Sequence, residues 1–256
     1  MIVKHIFAAM LLIICAAAAR AQDGSCPPGM VLVAPGVFQV GCSPGDPDCR
    51  GDETPSDRVA VHTGFCMDMY EVTQYAFDSV MGANPSFFKH CGWNCPVEQV
   101  TWDEARTFCT LTGKRLPTEM QWEFAARAGQ TTRFFWGDDP DPHFAWYFSN
   151  SLAGYVGAVR KRGTHPVGRL DPNALGLYDM AGNVGEWVDH CQLQSRPINP
   201  MSNATTDCSL RVVRGGSWSS PAQELRVSAR EGYDSGLRYD TVGFRCVADP
   251  LSQPDQ

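Results

Sequence analysis

Leu175-Gly176-Leu177-Tyr178-Asp179-Met180-Ala181-Gly182-Asn183-Val184-Gly185-Glu186-Trp187 opens apolar, turns through Gly182-Asn183 and Gly185, and closes on a carboxylate beside an indole. A calcium ion takes about six to eight hard oxygens from carboxylates, backbone carbonyls and water. Glycines let carbonyls bend inward, because they admit backbone conformations closed to other residues. A turn with Asp179 at one end and Glu186 at the other can supply such a set. The same spacing also suits a solvated turn, and the company the stretch keeps separates the two readings. Upstream lie Gly113-Lys114-Arg115-Leu116-Pro117-Thr118-Glu119 and Gln121-Trp122-Glu123-Phe124-Ala125-Ala126-Arg127. Downstream lie Arg214-Gly215-Gly216-Ser217-Trp218 and Gly243-Phe244-Arg245-Cys246.

Working outward, Thr101-Trp102-Asp103-Glu104 is a capping box, with the carboxylate three residues after the hydroxyl. Its helix puts Trp102, Ala105, Phe108 and Cys109 on one face and stops at Gly113. Thr118 with Gln121 repeats the device, Trp122, Ala125 and Ala126 face inward, and Gly129 ends that helix. Thr73 caps an earlier helix that ends at Gly82. Met30–Val33 and Val37–Gly41, parted by Ala34-Pro35-Gly36, read as a hairpin. Arg58–His62 and Phe65–Met69 read as strands, as do Arg211–Arg214, Leu225–Val227 and Val242–Val247. Residues 130–175 read as long connections whose aromatics, Phe134 to Phe148, fill a core that regular elements leave open. Few elements, with 24 Gly and 18 Pro spread throughout, make a loop-rich α+β domain.

The first 21 residues read as a secretory leader: Lys4, an apolar run from Ile6 to Ala19, and Ala19-Arg20-Ala21 before Gln22. The run falls short of the ~20 apolar residues a spanning helix needs, so the chain is not expected to span a membrane. Residues 22–256 form one domain, long enough for a sizeable core. Lys4 and Arg20 leave with the leader, which takes the formal net charge from −7 to −9. An acidic chain without a basic run is a poor binder of nucleic acid. The expected location is the periplasm or the extracellular space, where cysteines pair. Cys15 leaves with the leader, and the remaining ten cysteines are an even set.

Taken together and in this order, the motifs resemble the sulfatase-modifying-factor family, whose founding members are the formylglycine-generating enzymes. The resemblance runs from about Gly29 to Ala248. It implies a C-type-lectin-like fold of the formylglycine-generating-enzyme type. It also implies a structural calcium site made by the Asp179 side chain, the Gly182 and Val184 carbonyls and the Glu186 carboxylate. The family's second calcium site, around Trp146–Val159, lacks an acidic residue near Val159 here. Cys109 and Cys246 match a family disulfide. Cys42 with Cys49 flank a turn-rich loop, Cys91 with Cys95 flank Gly-Trp-Asn, and Cys191 with Cys208 bracket a polar insertion. Cys26 and Cys66 then pair by elimination, although sequence alone leaves this connectivity open. Arg214 and Arg245 read as arginines in buried ion pairs, and Arg115 and Glu119 as parts of the architecture.

The family's chemistry is where this sequence departs. Formylglycine-generating enzymes hold copper through two thiolates that follow the Gly-Gly-Ser-aromatic motif, and soft thiolates suit Cu(I). Here Trp218 is followed by Ser219-Ser220-Pro221-Ala222-Gln223-Glu224-Leu225, and no cysteine lies between Cys208 and Cys246. Ser220 stands where the first thiol would be, so copper is not expected. A second family disulfide is missing as a pair, with Ala126 and Val227 at its positions. Three functions stay open. One is a recognition module binding a protein, peptide or glycan through the former catalytic cleft, with Trp218, Ser220, Glu224, Arg226 and Arg230 as candidate contacts. Another is an oxidative tailoring enzyme with a non-thiol site. The third is an authentic formylglycine generator, which the missing thiols oppose.

Overall fold

A computed structural model describes residues 25–54, 56–156, 159–192 and 208–251, and the leader expected over residues 1–21 lies outside them. The helices begin at the caps the sequence supplies. Thr73 accepts the Ala76 N–H at the start of α1 (Gln74–Met81), and Gly82 ends it in the left-handed region. Complete capping boxes, Thr101 with Glu104 and Thr118 with Gln121, start α2 (Trp102–Leu111) and α3 (Glu119–Arg127). Each such cap contributes about 1 kcal/mol by pairing N–H groups that the first helical turn leaves open. At the end of α3 it is Ala128, not Gly129, that takes the left-handed cap position, at φ 48°.

The strands are β1 (Met30–Val33), β2 (Gly36–Val40), β3 (Asp57–Val61), β4 (Phe65–Asp68), β5 (Leu152–Val156), β6 (Val159–Arg162) and β7 (Gly185–Cys191). They continue with β8 (Leu210–Arg214), β9 (Arg230–Asp234), β10 (Val242–Gly243) and β11 (Val247–Ala248). One sheet has the order β1-β4-β11 and another the order β10-β7-β8-β9, while β2-β3 and β5-β6 form two-stranded ribbons. The second sheet is buried on both faces. Successive strand residues point to opposite faces. Trp187 and Val213 therefore enter the cluster under α1 and α2, while their neighbours Val188 and Val212 enter the cluster around Trp122, Ala125 and Ala126 of α3.

Several expected elements differ. β1 and β2 do not form a hairpin: β1 pairs antiparallel with β4, and β2 with β3. The chain leaves one sheet at Ala34-Pro35, and Gly36 then lies close against the Phe124 ring of α3, where an added Cβ would meet it at 2.9 Å. Leu225–Val227 is not a strand either. Ala222–Leu225 forms a 3-10 turn after Pro221, and the Arg226 guanidinium is drawn onto Glu53. The stretch Val242–Val247 divides, β10 running parallel to β7 and β11 antiparallel to β4. Arg245 and Cys246 thus lie where the chain crosses between the sheets. Within 130–175 the β5–β6 ribbon appears where a connection was expected.

The five disulfides join Cys26 to Cys66, Cys42 to Cys49, Cys91 to Cys95, Cys109 to Cys246 and Cys191 to Cys208, as the sequence pairing has them. The aromatic connection does fill the core. Phe134, Phe135 and Tyr147 are buried, and Trp136 stacks between Phe134 and Phe144 at 4.8 and 5.2 Å. Phe148, by contrast, is half exposed.

Candidate functional site

The loop that opened the sequence reading is held in an unusual backbone shape. Asp179 and Asn183 both take φ 55°, in the left-handed region that costs a non-glycine residue about 1 kcal/mol or more. Gly182, at φ 77°, has no alternative, since an added Cβ would lie 2.2 Å from the Trp146 carbonyl oxygen. The surroundings fix this shape by hydrogen bonds. Gly182 N–H donates to the Gly215 carbonyl, Asn183 N–H to that of Trp146, and Trp218 N–H to that of Asn183. Sequence reasoning missed the partner that does most, Glu71. Its carboxylate accepts the Val184 N–H at 3.0 Å and the Asn183 amide at 2.7 Å.

Glu71, Asp179 and Glu186 are all buried, and the fully buried Arg245 is the cation beside them. Arg245 donates through Nε to both Glu186 oxygens, at 2.8 and 2.9 Å, and Trp122 Nε1 donates to Oε2 at 2.7 Å. Asp179 accepts the Gly168 N–H at 2.7 Å. Three buried carboxylates therefore lie near one guanidinium, which is bonded to Glu186. Burial, then the charges of Asp179 and Glu186, hold the Glu71 carboxyl well above its ordinary range. Burial likewise pushes Asp179 up to about 6.

The donor set fits a hard divalent cation in two respects. Every donor is an oxygen, as calcium requires, and the cluster carries negative charge that one arginine does not cancel. Among the described residues no three His, Cys, Asp or Glu side chains converge as a metal group. A cation here would accordingly rest on Asp179 and Glu186 with the Gly182 and Val184 carbonyls, while Glu71 holds the loop by its N–H groups.

The cleft that the resemblance equates with the family's catalytic one opens between β7, β8, β9 and the turn after Trp218. Ser217, Ser220, Glu224, Glu231, Tyr233 and Thr241 line it, around a space of about 20 Å³. Ser220 Oγ accepts the Ser217 N–H at 3.2 Å, and the Ser217 and Ser219 hydroxyls lie 3.2 Å apart. Burial, then Glu231 and Glu224, raise the Tyr233 phenol. This cleft offers hydroxyls, carboxylates and a phenol, and no sulfur lines it. The ten cysteines from Cys26 to Cys246 are all joined in disulfides. Hard oxygens do not suit Cu(I), so the residues present do not fit that ion.

The candidate cleft contacts do not stay together. Ser220 and Glu224 line the cleft. Trp218 turns its ring toward Phe88, with centroids 5.2 Å apart, and donates from Nε1 to the Asp240 carbonyl. Arg226 and Arg230 leave the cleft altogether. Arg226 is 2% exposed and meets both Glu53 oxygens and Asp46 at 2.7 Å. Arg230 is 1% exposed and forms a fork on Glu119 at 2.7 and 3.0 Å. A buried guanidinium needs a carboxylate far more than a cleft needs a cation. Glu231, which by sequence resembles a solvated carboxylate, lines the cleft and also meets Arg50 at 3.2 Å. Its strand, β9, lacks the apolar alternation that would have announced it. The region of the family's second calcium site includes side chains outside the described residues.

Comparison with known proteins agrees with this geometry. The model of the family described as sulfatase-modifying factor enzyme 1-like domain matches residues 16–250, and the chain belongs to that family. It is 30% identical to a formylglycine-generating enzyme of Mus musculus, across 88% of this chain and 76% of the mouse protein. It is 36% identical to an inactive C-alpha-formylglycine-generating enzyme 2 of Bos taurus, across 63% of this chain and 52% of the bovine one. Among solved structures, PvdO from Pseudomonas aeruginosa shares the fold, with a TM-score of 0.73 at 24% identity, over 86% of this chain and 94% of that one.

Proposed function

We propose that the chain is an exported member of its family that recognises a ligand in the former catalytic cleft and does not oxidise thiols with copper. The observation that carries this reading is the cleft lining. Ser220 stands where the resemblance puts the first thiol, Ser217, Glu224, Glu231 and Tyr233 line the cleft beside it, and the ten cysteines from Cys26 to Cys246 are committed to disulfides. An oxidised sulfur is not a thiolate ligand. Hydroxyls, carboxylates and a phenol suit a partner that brings hydrogen-bond donors, such as glycan hydroxyls or the ammonium group of a peptide. The fully buried frame beneath keeps the walls in place without any metal in the cleft. A bovine relative named as inactive is consistent with a fold that outlives the oxidase chemistry. The disulfides agree with export.

On the same reading, calcium occupies the Asp179–Glu186 loop as a structural ion. It would balance the Glu71–Asp179–Glu186 group and fix the loop from which Trp218 hangs.

Titration of the isotope-labelled protein with a panel of oligosaccharides and short basic peptides tests the recognition role. The expected result is saturable shifts confined to residues 217–241 for one ligand class, weakened by Glu224→Gln. Binding of neither class, or tight retention of Cu(I) against a cuprous chelator, would contradict the proposal.

A further inference from the structure

A second cavity, of about 300 Å³, lies across Trp218 from the former catalytic cleft. Its walls are the 3-10 turn Lys89–Cys91 on one side and the end of the β5–β6 ribbon with Thr164–Pro166 on the other. Phe88, Leu152 and Pro166 supply apolar surface, while His90, Lys161, Arg162 and His165 supply basic groups. Among the described residues no carboxylate lines it, in a chain whose formal net charge is −7. The cavity is a local reversal of the molecule's charge.

Both walls are tied down before any ligand arrives. The Cys91–Cys95 disulfide closes the first. In the second, Gly163 N–H donates to the Ser151 carbonyl, His165 N–H donates to the Asn183 side chain at 2.9 Å, and the Trp146 indole stacks on the His165 ring at 3.8 Å. Gly163 permits the close approach, since an added Cβ would stand 2.7 Å from the Phe88 ring. Arg162 is oriented as well. Its Nε donates to the Phe148 carbonyl at 2.6 Å and its guanidinium lies 3.9 Å from the Phe148 ring centroid. That bond uses Nε and leaves the two terminal nitrogens for a ligand. Thr164 lines the cavity, is 1% exposed, and its hydroxyl has no hydrogen-bond partner among the described residues. Buried hydroxyls normally find one.

We propose that this cavity binds a small organic anion, a carboxylate on an apolar body. The carboxylate takes Lys161 and the Arg162 fork, which match its geometry, and the body lies against Phe88, Leu152 and Pro166. A preformed apolar pocket of a few hundred Å³ with a few converging polar groups is the usual form of a small-ligand site. The inference does not depend on what the former catalytic cleft recognises, and the two sites fail separately because Lys161 and Arg162 do not line that cleft.

The test is calorimetric or NMR titration of the full chain with phenylacetate and with phenylacetamide, its neutral counterpart, at low ionic strength. Phenylacetate should bind saturably and the amide at least ten-fold more weakly. Lys161→Gln and Arg162→Gln should each weaken phenylacetate binding about five- to ten-fold, while Glu224→Gln leaves it unchanged. Both basic positions are at least partly exposed, so the variants should fold, and unchanged thermal melting checks this. The proposal is overturned if phenylacetate does not saturate, if the amide binds as well as the acid, or if neither substitution changes the affinity.

Discussion

Two buried sets of charges sit on either side of Trp122, and they are built on different balances. Around α3, every guanidinium named here meets a carboxylate directly, and four guanidiniums face the four carboxylates Glu119, Glu123, Glu53 and Asp46. Arg214 meets Glu123 at 2.5 Å and Arg127 meets the same residue at 3.0 Å, while Arg230 forks onto Glu119 and Arg226 onto Glu53 with Asp46 beside it. Burial pushes Glu53 up, yet hydrogen bonds from Arg226 and Ser228 outweigh it and leave the carboxyl below its ordinary value. Beneath the loop at 179–186, three buried carboxylates have Arg245, bonded to Glu186, as their one nearby cation among the described residues, and two of them are raised. The first set is complete as folded and needs only to stay intact. The second is short of positive charge, and either a proton or a cation must complete it. Framework and proposed ion site are thus made from the same residue types, and the balance of charge tells them apart.

Breaking the complete set should cost most. Arg230→Met leaves Glu119 buried with part of its charge unmatched, and losses of this kind run to about 3–5 kcal/mol. Guanidinium-induced unfolding should show this drop, and a loss below about 1 kcal/mol would mean the pair is not the framework described here.

Glu98 adds a third case, a buried carboxylate with no guanidinium. It accepts the Phe87 and Phe88 N–H groups at 2.9 Å, and burial raises it to about 7 from an ordinary 4.5. The native state therefore holds a proton that the unfolded chain releases earlier. The resulting stability is fully present below about pH 4.5 and is lost as pH rises through about 7. The loss is on the order of 3 kcal/mol. Urea unfolding between pH 4.5 and 8 should show this component in the native chain and its absence in Glu98→Gln.

Completing the deficient set should contribute somewhat less. At free calcium about a hundred times its dissociation constant, an ion bound only by the native state adds about 2.7 kcal/mol. Chelator should lower the melting temperature, and Glu186→Ala should abolish the response. A melting temperature indifferent to both would remove calcium from this loop. The smallest effect is expected from Glu71→Gln in calcium-free buffer at neutral pH. The amide relieves the crowding of negative charge but can accept only one of the two hydrogen bonds that Glu71 takes from Val184 and Asn183, so the effects offset and stability should change by less than about 1 kcal/mol. A loss of several kcal/mol would show that Glu71 works as an anion there.

Much of this was legible in the chain, because the signals were local. Capping boxes at Thr101 and Thr118 placed two helices, short spacings pointed to three of the disulfides while the resemblance supplied Cys109 with Cys246, and the loop from Leu175 to Trp187 led to the charge-deficient cluster. What escaped was set by distant partners. β1 reads as half of a hairpin until β4 supplies its partner thirty-odd residues later. Arg226 and Arg230 read as cleft cations because nothing near them in sequence announces Glu53 or Glu119, which lie 173 and 111 residues away. Glu71 was invisible for the same reason, being 112 residues from the Asn183 it holds. Local chemistry is written in neighbours, whereas the pairing of buried charges is written only in the fold.

On the proposed function, this fold retains the family's frame without its thiol chemistry. Mass spectrometry of a cysteine-containing, sulfatase-type peptide incubated with the copper-loaded protein under oxygen tests it most directly. The peptide thiol should persist, with no aldehyde formed above the level of copper alone. Conversion of that cysteine to formylglycine, dependent on the protein, copper and oxygen together, would contradict the account.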